Sequence, residues 1–235
     1  MASSQVLYKC QRTLKKNFTD LEKLLDDESR ESFYGMPERK IVEQICWVAF
    51  LSGYQYQSAR NSWPAIRSSF FSFRKFLVNV FGIEFCVRRA LKKCDNQAKL
   101  SILGENLNRA FALSEKHGGL RNWIDAADNI FKELTTTFRY IGPTNVKSLL
   151  DHLGFKEVSQ NQKALIRFLS RLDLLSGRKP DTEAVMVAVK KISGNSGYNL
   201  VKTYTLLKLF ANHVCTENPL CSGCEAVCSS RRAEQ

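Results

Sequence analysis

The sequence is poor in residues that break helices, with five prolines and twelve glycines in 235 residues. Little of it alternates apolar and polar side chains with the period of two that a half-buried strand requires. A β-sandwich or barrel is therefore not expected, and the chain reads as all-α. Nor is there an apolar run near the roughly 20 residues that a membrane-spanning helix needs. The opening residues, MASSQVLYKCQRTLKKNF, contain no signal-peptide core. The expectation is an intracellular protein, of the cytoplasm and nucleoid or of a nucleus, with no membrane partner. Structural disulfides are rare in such compartments. Histidine is scarce, and His117, His152 and His213 lie far apart in the chain. With no His-x-Glu motif and no acidic metal cluster, neither a zinc deaminase nor a metal-dependent nuclease is expected.

What the chain has in surplus is positive charge. Thirty-five Lys and Arg against 23 Asp and Glu give a formal net charge of +12. That balance favours a polyanionic partner, nucleic acid first, although a merely soluble basic protein has the same composition. Two basic runs, RRALKK (residues 88–93) and SGRKP (residues 176–180), are either solvated helix ends or phosphate contacts.

Cysteine is the second surplus. Four of the eight cysteines fall in HVCTENPLCSGCEAVC, residues 213–228. Cys215, Cys221, Cys224 and Cys228 read C-x5-C-x2-C-x3-C, and the Cys221–Cys224 clip can turn both sulfurs to one metal centre. Pro219 and Gly223 supply the turns. Four thiolates so placed suit a [4Fe-4S] cluster or a structural zinc. Zinc usually draws its ligands from two separated knuckles, so the compact spacing favours the cluster; four unligated thiols are the bland alternative. Cys10, Cys46, Cys86 and Cys94 read as buried small apolar residues.

Helical spacing and cap residues divide the rest of the chain. NFTDLEKLLDD starts a helix behind Thr19 or Asp20. MPERKIVEQICWVAFLSG begins at Pro37 and stops at Gly53. SARNSWPAIRSSFFSFRKFLVNVFG continues with a turn near Pro64. EFCVRRALKKC, AKLSILGENLNRAFALSEKHGG and LRNWIDAADNIFKEL follow as further helices. Trp47, Trp63 and Trp123 sit on apolar faces as core residues. In FRYIGPTNVKSLLDHLGF (residues 138–155), the turn Tyr140-Ile141-Gly142 precedes a helix with Val146, Leu149, Leu150 and Leu153 inward. The amides of Gly142, Thr144 and Asn145 stand at that helix N-terminus and can bind a phosphate, with Arg139 and Lys147 adding charge. An ordinary helix–turn–helix corner is the alternative.

Residues 138–155 resemble the helix-hairpin-helix of the DNA glycosylase superfamily that includes endonuclease III and the bacterial 3-methyladenine DNA glycosylases. Over residues 30–228, further features follow in the family's order. ICWVAFLSGYQYQSA resembles the helix and loop that insert a side chain into the DNA stack, LIRFLSRLDLL the helix carrying an Arg at the place of Arg167, and TLLKLFANHVC with the cysteine loop the iron–sulfur end of the endonuclease III branch. The hairpin is closer to the 3-methyladenine branch, where an aromatic also replaces its first Gly.

The resemblance implies an all-α, two-domain helix-hairpin-helix glycosylase architecture with a C-terminal iron–sulfur cluster loop. One domain would span residues 37–153, the other residues 1–36 and 154–235. It implies a monomer acting on double-stranded DNA with a modified or damaged base, and a plug made by Tyr54, Gln55 and Tyr56. It also locates departures. The place of the lyase Lys holds Thr144, so no Schiff base can form. The place of the catalytic Asp holds Gln162, beside Asn161. The cluster spacing is x5 and x3 where the family has x6 and x5. A monofunctional glycosylase for an alkylated purine, whose charge already weakens its glycosidic bond, follows from the missing carboxylate. The alternatives are a carboxylate from elsewhere (Asp173, Asp181, Glu43 or Glu38) and a non-catalytic DNA-structure or lesion-binding protein of the same fold.

Overall fold

The computed structural model describes residues 3–158, 162–175, 180–194, 196–219 and Cys221, Cys224 and Cys228. Among these the protein is all-helical, with thirteen α-helices and one 3-10 turn. None of the helices is long and apolar enough to cross a membrane. The chain divides into two compact units: Met1–Gly35 with Asp128–Ile130 and Gly154–Gln235, and Met36–Ala127 with Phe131–Leu153.

The first unit contains α1 (Ser3–Lys15), α2 (Leu21–Glu31), α11 (Lys163–Arg171), α12 (Thr182–Ser193) and α13 (Leu200–His213). Helix α13 is its axis and packs against the other four. Its buried residues Leu200, Val201, Tyr204, Leu206, Leu207, Phe210 and Ala211 occupy more than one stripe, as a helix with neighbours on several sides requires. Each large apolar side chain so buried contributes roughly 1.5–3 kcal/mol. Asn199 caps α13 by accepting a hydrogen bond from the Lys202 amide at 2.9 Å. Asp20 stands in the cap position of α2, but its side chain makes no capping bond.

The second unit contains α3 (Glu38–Leu51), α4 (Tyr56–Ser69), α5 (Lys75–Phe81), α6 (Ile83–Leu91), α7 (Gln97–His117), α8 (Leu120–Ala126), α10 (Pro143–His152) and α9 (Ile130–Thr137) beyond its first residue. Helix α3 packs on α4, α7, α8 and α10. Pro37 precedes α3 and Gly118, at φ 67°, ends α7.

Two expectations of the helix pattern are corrected here. No turn occurs at Pro64, because α4 runs through it to Ser69. Pro64 is exposed, so the carbonyl that loses its amide partner faces solvent. The break comes instead at Phe71, Ser72 and Phe73, which all take left-handed φ values of 50–59°. LRNWIDAADNIFKEL is not one helix but two, α8 and α9, separated at residues 127–129.

Candidate nucleic-acid interface and cysteine loop

The hairpin turn is held by groups outside it. Asn106, on the buried stripe of α7, is fully buried. Its Nδ2 donates to the Arg139 carbonyl at 2.9 Å, and the Arg139 amide donates back to Oδ1 at 2.8 Å. Two reciprocal bonds to one residue leave the turn little freedom. Asn145 closes it from the other side, donating to the Tyr140 carbonyl at 2.8 Å. Tyr140 adopts φ 63° and is 44% exposed.

Gly142 occupies the N-cap of α10 at φ −82°, ψ −177°, with Pro143 at the first helical position and no side chain capping the helix. Any residue adopts that backbone, and a Cβ at Gly142 would have nothing within 4 Å. Neither conformation nor internal packing therefore requires glycine here. Thr144 is exposed, and Asn145 and Lys147 are half-exposed, beside the uncapped end. Arg139 is not a free cation: its guanidinium pairs with Glu105 at 3.0 Å.

The loop after α3 meets this turn through Lys99, a residue the sequence reading did not single out. Lys99 lies in the first turn of α7, where a cation opposes the helix dipole. Its ammonium instead reaches the C-terminal end of α3, donating to the Phe50 carbonyl at 2.9 Å and to that of Ser52. It lies 4.9 Å from the Tyr54 ring and 5.0 Å from the Tyr140 ring, so one cation bridges the two segments. Burial lowers its pKa. Tyr54 turns inward and stacks on Phe50 at 5.1 Å, and burial raises its phenol pKa. Gln55 and Tyr56 face outward, Tyr56 being 58% exposed. Of the three candidate plug residues, these two are the more exposed.

In the other unit, Gln162 is buried at the start of α11, its Nε2 3.5 Å from the Tyr204 hydroxyl. Asn161 lies outside the described residues, as do residues 176–179 of the SGRKP run. Glu38, Asp181 and Glu43, proposed as alternative carboxylates, have structural duties. Glu38 accepts from the Leu120 amide at 3.2 Å, Asp181 caps α12 through the Ala184 amide at 2.9 Å, and Glu43 pairs with Arg67 at 3.1 Å and Lys40 at 3.5 Å. Asp173 takes φ 57° just beyond α11.

The cysteine loop begins under two arginines of α11. Arg167 Nε donates to the Cys215 carbonyl at 3.2 Å. Arg171 donates to Cys215 Sγ at 3.1 Å and to the Thr216 carbonyl at 3.0 Å. Burial pushes the Cys215 thiol pKa up, and Arg171 opposes it. Of the four loop cysteines, Cys215 and Cys228 are buried and Cys221 and Cys224 half-exposed. Cys10 of α1 is fully buried, and burial, then Cys224 and Cys215, raise its pKa. No spacing in the sequence indicates this proximity of Cys10 to the loop cysteines. The donor chemistry of the four loop thiols suits an iron–sulfur cluster or zinc, and Arg171 is placed to favour a thiolate. Among the described residues no group of three His, Cys, Asp or Glu side chains is placed to hold a metal ion.

No protein-family model, curated protein or solved structure matches the chain.

Proposed function

We propose that the protein is a monofunctional DNA glycosylase, which flips a damaged or modified base, first of all an alkylated purine, out of double-stranded DNA and hydrolyses its glycosidic bond. The observation that carries this reading is the hairpin N-terminus. Gly142 is open to solvent at the uncapped start of α10, although neither its φ nor its neighbours require glycine. Close approach of an outside backbone, such as a DNA phosphate, is what a missing side chain serves there. The Lys99 bridge sets the loop bearing Gln55 and Tyr56 against this turn, so duplex anchoring and intrusion into the base stack would come from one rigid unit. In the proposed reaction a flipped cationic purine leaves as a neutral base, and Gln162 or Asn161 orients the attacking water. Thr144 offers no amine, so the strand is not nicked. A [4Fe-4S] cluster, or alternatively zinc, would be held by Cys215, Cys221, Cys224 and Cys228 and would act as a structural cross-link of the loop that Arg167 and Arg171 anchor. The protein would act as a monomer in the DNA-containing compartment of the cell.

A second reading, a non-catalytic DNA-structure or lesion-binding protein, is favoured by one observation. Gln162 is buried against Tyr204, and Glu38, Glu43 and Asp181 are committed to caps and ion pairs. Incubation with a panel of modified duplexes, scored for free base, separates the two. Release of an alkylated purine without strand cleavage supports the glycosylase. Tight lesion binding with no base released from any duplex selects the second reading.

A further inference from the structure

Four of the exposed large apolar side chains crowd into ten residues of the second unit: Phe76, Val80, Phe81 and Phe85. Three rings there form a near-parallel group. Phe71 lies 4.7 Å from Phe81 and 6.4 Å from Phe85, with Phe81 and Phe85 5.5 Å apart, at interplanar angles of 19°, 9° and 25°. The left-handed residues 71–73 produce this arrangement: they turn Phe73 into the core, against Trp63 and Phe70, and leave Phe71 on the outer side. Three consecutive non-glycine residues in that conformation carry backbone strain of the kind that gathers at functional positions.

The same surface is basic. Phe85 opens onto a cleft of about 610 Å³ lined also by Ser69, Arg88, Arg89, Lys92 and Lys93, with no carboxylate in its lining. None of the four cations takes part in an ion pair among the described residues, and Arg89 lies 5.2 Å over the Phe71 ring. The adjoining cleft beside Phe81 and Arg88 carries one carboxylate, Glu84. We infer that the aromatic group Phe71, Phe81 and Phe85, with Arg88, Arg89, Lys92 and Lys93, is a single-stranded nucleic-acid binding surface. Unpaired bases would stack on the exposed rings while phosphates follow the cations of the RRALKK run. Flat rings next to unpaired cations are what a base-bearing polyanion meets best, because every base has a π-face and every nucleotide a charge. The inference goes beyond the glycosylase reading and uses none of the residues assigned there.

Binding of the full chain to a fluorescein-labelled oligothymidylate of about 15 nucleotides, followed by anisotropy against salt, tests it. Each phosphate contact on a single strand adds about 0.7 to the slope of log K against log salt. Replacing all four cations by Gln should therefore flatten the slope by about 2 to 3, with the helical circular dichroism of the free protein retained because all four are exposed. Phe85→Ala should weaken binding about fivefold or more and should reduce the preference for oligothymidylate over an abasic strand of the same length. An unchanged slope in the Gln variant, or an unchanged base preference in Phe85→Ala, overturns the inference. So does a loss confined to phosphatidylserine vesicles with strand binding intact, which would assign the surface to a membrane. The strand contains no duplex and no excisable base. Failure of base release with Phe85-dependent strand binding would thus sink the glycosylase reading alone.

Discussion

Gly142→Val separates the fold from the proposed contact with DNA. In the protein, the first added carbon meets nothing: the backbone is in an extended conformation open to any residue, and the ideal Cβ has no neighbour within 4 Å. Stability should therefore change by less than about 1 kcal/mol, the poorer N-cap that valine makes being partly offset by the stiffer unfolded chain. The cost appears only when a phosphate approaches. Valine would hold it away from the amides of Gly142, Thr144 and Asn145, which precede the first intrahelical bond of α10, from Val146 to the Gly142 carbonyl at 2.9 Å. A hydrogen bond to a charged group contributes roughly 1.5–3 kcal/mol, so losing one should weaken duplex binding about 10- to 150-fold. The assay is anisotropy with intact, mismatched and alkylated duplexes at one salt concentration, beside thermal melting of the free protein. All duplexes should lose affinity by the same factor. Unchanged affinity with an unchanged melting temperature would refute the role of the hairpin in phosphate binding. A loss on one lesion alone would place Gly142 in the base pocket instead.

Lys99→Met should destabilise the protein by about 2 kcal/mol, because it strips charge-assisted hydrogen bonds from two carbonyls and removes the cation between Tyr54 and Tyr140; melting should fall by about 4–8 °C. His152, an exposed residue at the end of α10, has its pKa lowered chiefly by partial desolvation of the ring, with Asp151 raising it and Lys40 lowering it. The unfolded chain therefore takes up the proton first, and stability should fall as pH drops through the ordinary imidazole value of about 6.5. Urea titrations from neutral to mildly acidic pH should lose that component in His152→Gln. Purified without oxygen, the protein should absorb near ~400 nm and hold about four irons. Cys221→Ser should lose them and Cys10→Ala should not; a colourless protein with one zinc would select the alternative metal.

The helices were legible in the sequence because their signals are local. Pro37, Gly53 and the Gly118–Gly119 pair mark ends through their own backbone preferences, and the spacing of Val146, Leu149, Leu150 and Leu153 shows which face of α10 is buried. The candidate phosphate amides follow from the same local grammar, since Gly142 and Pro143 announce an uncapped N-terminus. The groups that hold that turn were not legible. Asn106 is a polar residue on a mostly apolar stripe, and its partner lies 33 residues away, a separation no periodicity encodes. Lys99 is odd in a first helical turn, but only the packed structure brings the carbonyls of α3 and the rings of Tyr54 and Tyr140 to it. Cys10 looks like any small buried residue until α1 packs against α13. The break at Phe71–Phe73 has neither glycine nor proline to declare it. Local sequence determines where a helix starts, ends and faces, because those choices cost or gain energy within a few residues. Which distant side chains satisfy a buried amide, a strained turn or an unpaired ammonium is decided only by tertiary packing, which alone sets the distances on which those interactions depend.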